Sequence, residues 1–138
     1  MSNVRNLREK QPENEKLTIN LGFVDLGRID LLVQEGFYSN RSDLIRTAIR
    51  NQLESHGEVV SKSLERHTME LGLRDYSVAD LETVRKAGEI LHIKVVGLAR
   101  FDPAITPELA LATIGSITVL GALQASPDIK KALADRIK

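Results

Sequence analysis

From Lys16 to Leu21 polar and apolar positions alternate without a break. Lys16, Thr18 and Asn20 fall on one side and Leu17, Ile19 and Leu21 on the other. A period of two that includes β-branched residues predicts a half-buried strand. A lone strand is unstable in water, and no second strand follows nearby to close a hairpin. The pattern therefore implies a second copy of the same segment, antiparallel across a two-fold axis. Such a pair buries the leucines and the isoleucine and turns two sets of Lys16, Thr18 and Asn20 outward.

After Gly22 the period changes. Phe23 to Gln34 carries Val24, Leu26, Ile29, Leu31, Leu32 and Val33 against only three charges, Asp25, Arg28 and Asp30. That predicts a helix covered over most of its circumference, with Gly36 as its C-terminal stop. Ser39 to Asp43 reads as a second helix start. Ser39 or Asn40 is the N-cap, and from Asn40 the acidic Asp43 falls at the capping-box place. Leu44, Ile45, Ala48, Ile49 and Leu53 then form one apolar stripe, Arg46, Arg50, Asn51 and Glu54 lie on the far face, and His56-Gly57 ends the helix. A strand and two helices in about forty residues cannot enclose a core alone, so residues 15–56 predict an intertwined dimer. Residues 1–14, with Arg5, Arg8, Lys10 and Pro12, read as a flexible arm, and residues 57–66 as a linking helix.

A repeat organises residues 67–138. His67 to Ser77 aligns with His92 to Asp102 and with Ser116 to Ser126, so that Gly72, Gly97 and Gly121 share one place 25 and 24 residues apart. Each unit turns into a helical stretch, roughly 78–88, 106–114 and 127–137. One strand and one helix per unit of this length predicts a small α/β stack of the leucine-rich kind with parallel strands. The repeated glycine allows a neighbouring backbone to approach. Glu70 and Arg74 replace apolar residues of the other units, which suits an exposed edge strand. The other two strands are apolar on both sides, while local helices supply one layer. The second face is expected to pack on another subunit, making 67–138 an oligomerisation domain that joins dimers into a higher oligomer. The fold class is thus α+β, an N-terminal strand–helix–helix dimer followed by a three-repeat α/β domain.

Composition narrows the chemistry. The chain has 138 residues, 42% hydrophobic and 28% charged, within the globular range. It contains no cysteine, which excludes disulfides, a thiol nucleophile and thiolate metal sites. No apolar run spans a bilayer and the N-terminus is no signal peptide, so a cytoplasmic protein without membrane contact is expected. Residues 1–56 hold eight Lys/Arg and eight Asp/Glu, and the remaining eleven of each 19 lie in 57–138. Neither half is basic, so affinity for a polyanion must come from locally placed cations. There is no phosphate-cradling glycine loop, no nucleophile motif and no catalytic residue set, and an enzyme is not expected.

Residues 15–55 resemble the ribbon-helix-helix family of bacterial transcriptional regulators, of the CopG, MetJ and Arc type. The stretch Gly-Phe-Tyr-Ser-Asn-Arg-Ser-Asp-Leu-Ile-Arg, residues 36–46, carries the likeness most directly. Gly22 departs from it, since many members have proline there. The resemblance implies a homodimeric, sequence-specific repressor whose two-stranded ribbon enters the major groove of double-stranded DNA. Lys16 would read guanine, Asn20 adenine and Thr18 thymine, while the backbone around Ser39, Asn40 and Arg41 would hold a phosphate. The family also includes nickel-responsive repressors with an α/β sensor domain. His56, His67 and His92 are too few for such a site, although His67 and His92 match in the repeat and could lie on adjacent strands. No metal or cofactor is expected. Two other readings fit the same residues: a structural assembly protein that uses the fold only to dimerise, favoured by the neutral N-terminal half, and an antitoxin.

Overall fold

The structure, a computed structural model, describes residues 13–138. The expected arm falls almost wholly outside them. The described elements are α1 (Phe23–Gln34), α2 (Arg41–Ser55), α3 (Gly57–His67), β1 (Glu70–Tyr76), α4 (Val78–Lys86), β2 (Leu91–Phe101), α5 (Pro107–Thr113), β3 (Ile114–Gln124) and α6 (Pro127–Ala132). The chain divides into two compact units between Val60 and Ser61, within α3.

In the first unit α1 spans the predicted residues. Gly36 follows its end with φ +87°, the left-handed conformation that glycine adopts without a Cβ penalty. The Gly36 N–H reaches the Val33 carbonyl at 3.1 Å and the Phe37 N–H the Leu32 carbonyl at 3.0 Å. These two bonds satisfy carbonyls that the helix end leaves open. Leu26, Ile29 and Val33 of α1 and Leu44 and Ile45 of α2 are half-buried, and no residue of α1, α2 or α3 is buried. The cover expected around α1 is therefore not supplied by the described residues. Residues 14–22 form neither helix nor ladder. A strand needs a neighbour for its N–H and C=O groups, and the described residues offer this segment none.

The second unit is a parallel sheet in the order β1-β2-β3. The glycines of the repeat stand side by side, Gly72 opposite Gly97 and Gly97 opposite Gly121, as the alignment predicts. All three have positive φ, between +122° and +138°. A Cβ on Gly97 would collide with the Gly72 carbonyl oxygen, and one on Gly121 with that of Gly97. Close backbone approach is thus the reason for the repeated residue.

Leu81 of α4, Leu109 of α5 and Ile129 of α6 pack on Ile93, Val95 and Ile117 in one core on a single face of the sheet. Each helix starts on an oxygen-bearing cap. Ser77 and Asp80 form a reciprocal capping box, while Thr106 and Ser126 cap α5 and α6 ahead of Pro107 and Pro127. β1 is an edge strand, and Arg74 pairs with Glu70 along it at 2.8 Å.

Two expectations need correction. The last helix stops at Ala132 instead of running to 137, because the chain turns there and Ile137 forms an isolated parallel bridge to Ile117 of β3. Ile117 donates to the Arg136 carbonyl at 2.9 Å and accepts from Lys138 at 2.8 Å. The Arg136 guanidinium fixes that turn through the Leu111 and Ile114 carbonyls, at 2.8 and 2.7 Å. His67 closes α3 instead of opening β1, so it does not share a strand register with His92. The neighbour of His92 is Ser116 on β3, with Nδ1 and Oγ 2.8 Å apart.

Two carboxylates of this unit are held in their ionised form by hydrogen bonds. The Ser77 amide holds Asp80 below the ordinary carboxylate range, and the hydrogen-bonded Arg100 guanidinium does the same for Asp75. A lowered folded-state pKa contributes stability that is complete above the unfolded value, about 4, and lost as pH falls through the folded one. Acid unfolding followed by circular dichroism is expected to set in below about pH 4. Asp80→Asn, which keeps the shape without the charge, should flatten that limb; an unchanged profile would show that the cap carries no pH dependence.

Candidate nucleic-acid interface

The first unit carries two features with recognition chemistry. Residues 16–21 are exposed throughout, apolar and polar positions alike; Leu17 retains 79% of its surface and Ile19 63%. Three large apolar side chains, each alternating with a hydrogen-bonding one, thus stand in water together. Full cover of each would contribute about 1.5–3 kcal/mol. The polar set of Lys16, Thr18 and Asn20 offers an ammonium, a hydroxyl with its methyl, and an amide. These match the edges that base pairs show in a major groove.

The second feature is the start of α2. Asn40 is its N-cap, in extended conformation, and its side-chain oxygen accepts from the Asp43 N–H at 2.8 Å. The Asp43 carboxylate accepts from the Ser39 N–H at 3.0 Å, one residue further out than the capping box expected from Asn40. Arg41 and Ser42 lie in the first turn, where amides have no acceptor within the helix. A helix N-terminus with open amides favours an anion.

Arg41 brings a partner that the sequence reading did not include. Its Nε and Nη2 donate to the two carboxylate oxygens of Asp30 in α1, both at 2.8 Å. This fork-on-fork pair ties α2 to α1 across the Gly36 turn. Each group stabilises the charge of the other: the hydrogen bond from Arg41 holds the Asp30 carboxyl below its usual range, and Asp30 raises the guanidinium. Both side chains are about half exposed. The eleven-residue separation spans a turn, so helical spacing gave no signal of the contact.

The structure places Ser39, Asn40 and Arg41 together at one helix start and Lys16, Thr18 and Asn20 along one exposed segment of the same unit. The His56 imidazole Nε2 lies 3.2 Å from the Gln52 side-chain amide nitrogen. Among the described residues no three His, Cys, Asp or Glu side chains gather as a metal site would require. No described helix is long and apolar enough to cross a membrane.

No curated protein and no solved structure matches the chain. One family does. The sequence model of the Ribbon-Helix-Helix transcriptional regulator family matches residues 12–130. The match begins ahead of the alternating segment, runs through both helices of the first unit and extends past Gly121 into α6. The match therefore covers most of both units. The alternating segment, the capped α2 and the glycine-aligned sheet are parts of one inherited chain, and the protein belongs to the Ribbon-Helix-Helix transcriptional regulator family.

Proposed function

We propose that the protein is a sequence-specific repressor that binds double-stranded DNA as a homodimer. Two copies of residues 16–21 pair as an antiparallel ribbon, and Lys16, Thr18 and Asn20 on its outer face read base edges in the major groove. Ser39, Asn40 and Arg41 at the start of α2 hold a backbone phosphate and set the ribbon's register. The observation that carries this reading is the missing core of the first unit. Its apolar positions are in place, yet one chain leaves Leu17, Ile19, Leu21, Phe23 and Val24 in water.

A second copy supplies the missing cover and the missing strand in one step. Selection of bound DNA from a random pool, repeated at two salt concentrations, tests the whole reading. A short palindromic consensus is expected at both. A pool that stays random, from a protein that still dimerises, would favour an assembly protein instead. The electrically neutral N-terminal half is what keeps that second reading open.

The Asp30–Arg41 pair gives a separate test. A phosphate near Arg41 competes with the Asp30 carboxylate for the same guanidinium, and Asp30 itself repels the anion. Arg41→Ala should weaken binding to all sequences alike and reduce the slope of log K against log salt by about 1. Asp30→Asn should strengthen binding to all sequences. If it weakens them, the pair orients Arg41 rather than restraining it.

A further inference from the structure

Among the described residues, α4, α5 and α6 cover one face of the sheet of the second unit, and the middle of its other face is apolar. Side chains alternate across a strand, so register fixes which residues share that face. Leu71, Val96 and Leu120 form one rank across the three strands, and Leu73, Leu98 and Ala122 form the next. Leu98 on the central strand is 8% exposed, while Leu71 and Leu120 at the margins keep 68% and 61%. No charge interrupts the two ranks. Beyond one end Asp75 and Arg100 neutralise each other through bonds of 2.7 and 3.2 Å. Beyond the other lie Lys94 and Thr118. A parallel sheet is ordinarily covered on both faces.

We propose that this face packs against the same face of a second copy, so that the two C-terminal units of one dimer close into a two-sheet sandwich. Size selects the occupant. Two ranks across three strands cover roughly 14 Å by 14 Å, on the order of 200 Å² in projection. Standard complexes bury about 800 Å² a side, so the patch is too small to hold a partner that arrives free from solution. It suffices for a partner already held nearby. Pairing of the N-terminal units raises the second copy to an effective concentration in the millimolar range. The inference thus rests on the dimeric reading given above. It also places the contact within a dimer, where the sequence pattern alone suggested a joint between dimers. The uncharged ranks favour an identical surface over a charged one, because neither side brings an ion that must be desolvated without a partner.

The absence of cysteine allows a direct test on the full chain. Leu120→Cys puts one thiol in the outer rank, at a position exposed enough to leave the fold intact. Maleimide labelling is expected to be at least tenfold slower than for the free amino acid. A bismaleimide that bridges the about 10 Å between packed sheets should link two copies, with a yield independent of dilution while light scattering reports a dimer. Adding Leu71→Lys and Leu73→Lys should restore fast labelling and abolish the link, with circular dichroism unchanged. Fast labelling of the single variant in a dimeric protein overturns the proposal. So does protection without cross-linking, which assigns the cover to the chain's own N-terminal half, and so does a tetramer, which moves the contact between dimers. A monomer is a different failure, that of the dimeric reading itself.

Discussion

Gly97→Ala is expected to cost the second unit about 3 kcal/mol or more, whereas Gly72→Ala costs about 1–2 kcal/mol. The two glycines have nearly the same backbone, with φ of +138° and +132°, so alanine meets the same conformational penalty at both. They differ in what stands beside them. The new Cβ at 97 would run into the Gly72 carbonyl, with the carbonyl carbon at 3.0 Å and the amide nitrogen at 3.3 Å, and a backbone cannot step aside as a side chain does. At 72 a Cβ meets nothing within 4 Å. The difference between the two variants isolates the close approach of the strands from the dihedral cost. Gly121→Ala, beside the Gly97 carbonyl, should behave like Gly97→Ala.

Urea unfolding in a Tyr38→Phe background reads the second unit alone, because Tyr76 then remains as the one tyrosine. It is buried against Phe101 with ring centroids 5.3 Å apart. Equal losses at 72 and 97 would mean that the glycine column serves the dihedral only.

The second large effect falls on the other unit. Thr18→Ala and Asn20→Ala should each lose about 1–3 kcal/mol at the selected DNA site, and together about 2–6 kcal/mol if they act independently. Neither side chain belongs to the apolar set of the segment, so the proposed dimer should keep its mass and its thermal midpoint. Binding to unrelated DNA at low salt should also persist, since it depends on phosphate contacts. Fluorescence anisotropy with the cognate duplex and a scrambled one separates these outcomes. A double variant that binds the cognate duplex as tightly as the wild type does would remove the ribbon from recognition.

Much of the second unit was legible because its signals are local. Three glycines at nearly equal spacing announced the sheet register, and the same repeat gave the approximate starts of the three helical stretches, though not Thr106 as the cap of α5. Glu70 and Arg74, polar where the other units are apolar, marked β1 as the edge. The reversal at Arg136 was not legible, since it depends on two carbonyls of the α5–β3 junction that come near only once the sheet has formed. The first unit shows the opposite limit. The alternation of residues 16–21 says that an extended segment is wanted, but the described residues give it no strand partner, and in the proposed dimer that partner belongs to a second chain. The helix boundaries around Gly36 and Asn40 were readable from caps. The Asp30–Arg41 pair was not, because it joins two helices whose relative rotation is fixed by the turn between them.

The column of glycines has an effect on how this sheet can vary. If one strand slid by a single residue, Val96 or Leu98 would stand where Gly97 now passes the Gly72 carbonyl, and the backbones could not close. The three strands are therefore locked in phase, and the difference between spacings of 25 and 24 residues is absorbed in the connections. Insertions and deletions should be tolerated around α4 and α5 and refused inside β2, so that length can change on the helical side while the opposite surface keeps its pattern.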